Sequence, residues 1–319
     1  MRFEIRLSII SIINYQSSHI NLKTLISIIG STGIGKTKLA IEIAKRFGTE
    51  IISCDSRQFF KEMKIGTATP SEEELAQVKH HFVGNLSITD YYSIGQYETD
   101  ALQKLEEIFA EKDITVLVGG SMMYEKAVTE GLNDLPESNA ENQEKLQKIW
   151  DEGGIEKLQE ILKNLDEEYY EVVHKENPRR LLRAIDVIWQ TGRKYSEIIA
   201  EPMHERNFRV IRIGIKAPRE KMYERINLRV DKMLENGLLE EVKTLINFRN
   251  LVPLQTVGYT EMFKYLDGTW DLEFAVEEIK KNSRRYAKRQ ETWNKKVENV
   301  TWLDYNYSDE DLEIILSQI

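Results

Sequence analysis

Two rhythms of apolar residues run through this chain. Short apolar-rich runs occur at Thr24–Ile29, Glu50–Cys54 and Ile114–Val118, and an alternating run at Phe208–Ile215. Lys38–Phe47 and Ser93–Glu111 instead place apolar residues at helical spacing, and Ser71-Glu72-Glu73-Glu74 reads as a helix start. Unbroken β-branched runs suit strands buried on both faces, and such strands alternating with helices predict a parallel sheet. From Pro136 to Met203 the pattern changes to charged, helical spacing with no strand. The chain is therefore expected to be α/β, with a core over 24–135 and 204–319 and an inserted helical domain over 136–203.

The turn after the first run carries the clearest chemistry. Gly30-Ser31-Thr32-Gly33-Ile34-Gly35-Lys36-Thr37 fits G-x-x-x-x-G-K-[ST], the P-loop, between a predicted strand and a predicted helix. The glycines let the backbone aim its N–H groups at phosphate oxygens, and the helix N-terminus adds partial positive charge. Lys36 supplies an ammonium, and the Thr37 hydroxyl suits a Mg²⁺ on the same phosphates. The sheet is thus expected to be of the P-loop NTPase kind. Asp55 ends the second strand, on the side where parallel sheets bind ligands, and Ser56-Arg57-Gln58 follows it. The third strand ends in Gly119-Gly120-Ser121 rather than the acidic Mg²⁺ partner of many P-loop ATPases, which weakens a hydrolase reading. Asp113 lies at its opposite end. His80-His81 stands without further ligands at zinc spacing and reads as structural.

Composition narrows the partners. The 319 residues carry a net charge of −9, so a nucleic acid must be met by a local basic patch. Such a patch exists: Lys280, Lys281, Arg284, Arg285, Lys288, Arg289, Lys295 and Lys296 are expected on one helix, interleaved with Tyr286, Gln290 and Trp293. Basic residues with aromatics and an amide suit RNA, although a solvated helix face has the same look. Asn177-Pro178 starts another helix with Arg179 and Arg183 on one face, and Arg225 and Arg229 repeat that spacing before Asn236-Gly237. Cys54 is the single cysteine, so no intrachain disulfide forms, which suits the cytoplasm. Arg2 and Arg6 before Leu7–Ile13 loosely mimic a signal peptide, but no small-residue cleavage site follows and the run is too short for a bilayer. Residues 1–23 read as a peripheral extension.

Taken in order, these motifs resemble the tRNA dimethylallyltransferases (tRNA isopentenyltransferases) from about Leu25 to Asp304. The resemblance rests on the P-loop, Asp55–Gln58, Gly66-Thr67-Ala68-Thr69-Pro70, His80-His81-Phe82 and Val118–Tyr124. It continues through Asn177–Arg180 with Arg183-Ala184, Val257-Gly258-Tyr259, and Arg284–Gln290 with Thr292-Trp293. It implies transfer of the dimethylallyl group of dimethylallyl diphosphate to the exocyclic amine of an adenosine beside the anticodon. The P-loop, Thr37-bound Mg²⁺ and Arg229 would hold the diphosphate, Asp55 would accept the amine proton, and Ser121 would contact the target nucleotide. Asp55, Ser56, Arg57, Gln58, Gln143, the run Arg179-Arg180-Leu181-Leu182-Arg183, the run Gln255-Thr256-Val257-Gly258-Tyr259-Thr260, Arg284, Lys288 and Arg289 would face the tRNA anticodon stem-loop. Phe60, Gln143, Gln255 and Thr260 depart from residues common in the family, and no zinc module follows Trp293, as in the short bacterial type. A cytoplasmic monomer with no membrane attachment is the expectation. A P-loop small-molecule kinase, an enzyme prenylating free adenine nucleotides, and an RNA-binding or GTPase-like module without transfer chemistry are the alternatives.

Overall fold

A computed structural model describes residues 23–317 and 319. The expected extension, residues 1–23, lies outside the described residues apart from Lys23, whose ammonium pairs with Asp113 at 2.9 Å. The chain forms two compact units. The first comprises residues up to Thr129 together with Arg206–Ile319, and the second is Glu130–Glu205. The sequence pattern alone puts these crossings at 135 and 204.

The first unit begins with β1 (Thr24–Gly30), α1 (Lys36–Phe47), β2 (Ile51–Ser53), α2 (Glu72–Leu75), β3 (His80–His81), α3 (Ile94–Phe109), β4 (Ile114–Val118) and α4 (Met122–Thr129). The second holds α5 (Ala140–Leu165), α6 (Glu167–Val172), α7 (Pro178–Thr191) and α8 (Tyr195–Ile199). The chain then returns through β5 (Arg209–Lys216), α9 (Arg219–Glu235), α10 (Leu238–Thr244), α11 (Tyr259–Leu266), α12 (Leu272–Asn294), β6 (Val300–Asp304) and α13 (Asp309–Leu316).

The sheet runs β3-β2-β4-β1-β5-β6, with every pairing parallel. β1 sits between β4 and β5 and is buried along its whole length. Its side chains alternate: Leu25 joins one core layer with Phe59 and Tyr97, while Ile26 and Ile28 join the other with Leu39 and Ile43 of α1. Ser27 points to the first face, where its hydroxyl donates to Glu125 of α4 at 2.8 Å. That carboxylate also accepts from Arg212 of β5 at 3.2 Å, so a buried ion pair ties two strands to a helix.

Two strands were not expected: β3, two residues long, and β6, at the sheet edge. Lys295 caps the C-terminus of α12 and Lys296 follows it, so the two lysines lie past the helix on which they were expected. In the second unit Asn177 caps α7, accepting from the Arg180 amide, and Pro178 occupies the first turn. Leu181, Ala184, Ile185 and Ile188 of α7 pack with Leu146, Leu158 and Leu162 of α5. Among the described residues no helix is long and apolar enough to cross a membrane.

Candidate functional site

The carboxyl ends of β1, β2 and β4 open into a cavity of about 830 Å³ in the first unit, lined by Lys36, Thr37, Asp55, Ser121, Arg229 and Arg289 among others. Each strand end contributes a loop, as expected for a ligand site of an open parallel sheet.

The loop after β1 turns into α1 at Gly35, whose φ of 113° suits glycine and would strain another residue. Lys36 folds its ammonium back over the loop, donating to the carbonyls of Gly30 at 3.0 Å and Ser31 at 2.9 Å. Arg229 of α9 approaches from the other side, donating to Thr32 Oγ1 at 2.9 Å and to the Thr67 carbonyl at 3.1 Å. Arg225, one turn earlier, donates to the Gly33 carbonyl at 2.8 Å. Three cations are thus gathered over one turn of backbone. Burial pushes the Lys36 ammonium down to about 8, with the charge of Arg229 adding to the effect and Asp55 opposing it. Burial also lowers Arg229, again opposed by Asp55. The Thr37 hydroxyl lines the same cavity and makes no hydrogen bond to protein among the described residues.

Asp55 leaves β2 facing these cations. Its Oδ1 accepts from the Arg57 amide at 3.2 Å. The buried Tyr97 hydroxyl donates to the Ser53 carbonyl at 2.9 Å and fixes the strand end behind it. The missing acidic residue at the end of β4 has a steric explanation. A Cβ on Gly119 would lie 2.4 Å from the Cys54 carbonyl carbon, and one on Gly120 would lie 2.9 Å from Asp55 Oδ2. The β4 exit must be side-chain-free to pass the β2 exit. Ser121 then accepts from the Ser56 amide at 3.0 Å and shares a hydrogen bond with the Ser56 hydroxyl at 2.9 Å. Gln58 donates to the carbonyls of Thr67 and Ala68, and Arg57 to those of Val252 and Pro253, so both side chains brace the cavity wall.

Two carboxylates not singled out from the sequence organise the far wall. Glu241 accepts from the amides of Ile65 and Gly66 and from the Tyr259 hydroxyl at 2.7 Å. Glu261 accepts from the Gly258 amide, the Thr260 hydroxyl and Asn282. Gln290 and Tyr286 were grouped with the RNA-facing equipment, but both turn inward. The Tyr286 hydroxyl donates to the Gly120 carbonyl at 2.8 Å, and Gln290 bonds Thr32 and Gly120 from a buried position. Their signal was i, i+4 spacing around Ala287, which is itself fully buried.

The family model described as IPP transferase matches residues 58–297. The chain belongs to the IPP transferase family. It is 45% identical to tRNA dimethylallyltransferase 1 of Bacteroides thetaiotaomicron over 93% of this chain and 96% of that one. It is 49% identical to the tRNA dimethylallyltransferase of Christiangramia forsetii over 90% and 95%. Among solved structures it resembles the tRNA isopentenylpyrophosphate transferase of Bacillus halodurans, with 35% identity, a TM-score of 0.67 and coverage of 92% of this chain and 94% of that one. A eukaryotic dimethylallyltransferase described as acting on tRNA superposes with a TM-score of 0.81 at 26% identity, covering 93% of this chain and 79% of that one.

Within this family member the expected site residues divide by location. The loop Gly30–Thr37, Asp55–Gln58, Ser121, Arg229, Gln255–Thr260 and Arg289 belong to the first unit, while Gln143 and Arg179–Arg183 belong to the second. Lys288, Arg289, Arg179 and Arg180 are exposed. Several of these side chains are engaged within the protein. The Leu181 side chain is fully buried in the helical core and Tyr259 is fully buried against Glu241, so neither offers its side chain to a ligand. Arg183 is held by Asp186 and the Pro136 carbonyl. Arg284 is half-buried, donating to Asn227 at 2.7 Å beside the Tyr223 ring. Phe60, a departure from the family pattern, lies in the core.

Proposed function

We propose that this protein transfers the dimethylallyl group of dimethylallyl diphosphate to the exocyclic N6 amine of the adenosine 3′-adjacent to a tRNA anticodon, releasing diphosphate. The observation that carries the reading is that one cavity joins two chemistries. A P-loop with Lys36 and Arg229 handles the anion, and Asp55 with Ser121 stands at the neighbouring strand ends. As the allylic carbon–oxygen bond breaks, its electron pair and negative charge pass to the diphosphate, which Lys36, Arg229 and the loop amides stabilise. The adenine nitrogen forms the new bond to carbon, and Asp55 takes the proton that the amine sheds. Relatives named tRNA dimethylallyltransferase support the acceptor.

A divalent ion fits the same loop. Among the described residues no cluster of three His, Cys, Asp or Glu side chains could cage a metal. Mg²⁺ takes most of its ligands from phosphates and water, and the Thr37 hydroxyl is the side chain that would hold it. When bound, it would neutralise charge on the diphosphate. The exposed Lys288, Arg289, Arg179 and Arg180 and the Gln255–Thr260 loop are the groups proposed to meet the RNA, and the target base must leave its stack to reach Asp55.

The test offers radiolabelled dimethylallyl diphosphate with tRNA, with free AMP, or with no acceptor. Label in tRNA alone is the expected result. Label in AMP alone would instead make the protein a free-nucleotide prenyltransferase.

A further inference from the structure

Gln290 sits near the C-terminal end of α12 directly after the exposed Lys288 and Arg289, yet it is 1% exposed. Its amide is used at both ends. Oε1 accepts from the Thr32 amide at 2.8 Å, and Nε2 donates to the Gly120 carbonyl at 2.7 Å. Tyr286, one turn earlier, donates to the same carbonyl at 2.8 Å. Thr32 belongs to the loop leaving β1 and Gly120 to the turn leaving β4, and these two strands are neighbours in the sheet. Gln290 is therefore a staple across two adjacent strand ends. Only a side chain that accepts at one atom and donates at the other, without charge, satisfies both partners at once.

The two loops have different tasks in the transfer reaction. One holds the leaving diphosphate; the other abuts Asp55 and leads into Ser121. We infer that Gln290 is a positioning residue that sets the distance between the diphosphate loop and the Asp55–Ser121 edge. It acts from the cavity wall through the backbone of both loops. The inference rests on the proposed prenyl transfer for its consequence, though the staple itself is measurable without it. Reacting groups held about 1 Å out of place can lose about 10²-fold in rate, so a link of this kind shows in the transfer step rather than in binding.

Gln290→Met keeps the length and removes both hydrogen bonds. Single-turnover transfer to tRNA is expected to fall by about 10- to 100-fold, while affinities for tRNA and inorganic diphosphate stay within about 3-fold. A transfer rate close to the parent's, or a loss of tRNA affinity that accounts for the loss of rate, overturns the inference. Gln290→Glu gives a second readout. A protonated carboxyl reproduces the donor and acceptor pattern; an ionised one loses the donor and adds negative charge beside Asp55. Lys36 and Arg229 from the loop side, Cys54 beside Asp55, and Tyr286 and Arg289 on α12 complete the titratable surroundings. The rate of this variant relative to the parent should rise as pH falls, and a flat ratio would contradict the staple even if the Met variant fails to fold. Hydrogen exchange separates this from the functional reading. Thr32 should lose amide protection in Gln290→Met, which has no oxygen to accept it, whether or not the parent labels tRNA. A parent that transfers nothing would end the functional proposal and leave the exchange result to decide the staple, with unchanged protection refuting it.

Discussion

A cation held out of water beside another cation is poised for an anion, and Lys36 is in that state. Burial first, and Arg229 second, bring it down to about 8. Below that pH the free protein carries the ammonium; above it the ammonium is progressively lost, and with it part of the attraction for diphosphate. Relative to Lys36→Met, which keeps the ligand's own titration as the baseline, the affinity advantage of the parent should shrink by up to about tenfold per pH unit above pH 8. Calorimetric titration of inorganic diphosphate at several pH values checks this, and a constant gap between the two proteins would contradict it. Asp55 is tested differently. Asparagine keeps its shape but cannot take a proton, so Asp55→Asn should slow single-turnover transfer by about 10²- to 10⁴-fold and leave tRNA affinity largely intact. A near-parental rate would remove Asp55 from the role of base.

Among the elements, the joint of β1, β5 and α4 shows how the sheet is held beneath the site. Glu125 accepts from Ser27 and Arg212, and Arg212 also donates to Thr129 at 3.0 Å. Glu125→Ala takes away the acceptor that Ser27 and Arg212 share in a buried position, so it should cost about 1–3 kcal/mol of stability. Urea denaturation would show it as a lower midpoint, whereas an unshifted midpoint would mean that the joint does not depend on Glu125. This joint could not be read from the chain, because Ser27, Glu125 and Arg212 are far apart in sequence and none departs from its local pattern. The central strands were legible because burial on both faces demands unbroken apolar runs. β3 was not: two histidines form a strand only because Ile51 and Ile52 lie alongside. β6 is an edge strand with three of its five residues exposed, so its apolar signal is thin. The same limit applies to the site. The P-loop and Asp55 could be placed from strand ends, whereas the inward turn of Gln290 depends on which loops α12 packs against.

For the molecule as a whole, a net charge of −9 means that most of the surface repels a polyanion. RNA affinity must then come from the few cations that remain open to it, and the structure revises which these are. Arg284 and Arg183 are engaged internally, whereas Lys288, Arg289, Arg179 and Arg180 are exposed. Each phosphate that the protein neutralises releases counterions, so affinity for tRNA should fall with salt, with a log–log slope set by how many phosphates are neutralised. Replacing Lys288 and Arg289 together with alanine should weaken tRNA binding and flatten that slope by about one for each phosphate no longer neutralised. Arg179→Ala with Arg180→Ala should do the same through the second unit, and Arg284→Ala alone should leave the slope nearly unchanged. Inorganic diphosphate affinity should stay the same in the Arg179/Arg180 pair, whose residues lie outside the unit that holds the P-loop. A salt series on the three variants distinguishes this from a merely solvated helix. Parental slopes for both pairs would mean that neither surface meets phosphate, and a flattened slope for Arg284→Ala would mean that its bond to Asn227 gives way when RNA binds.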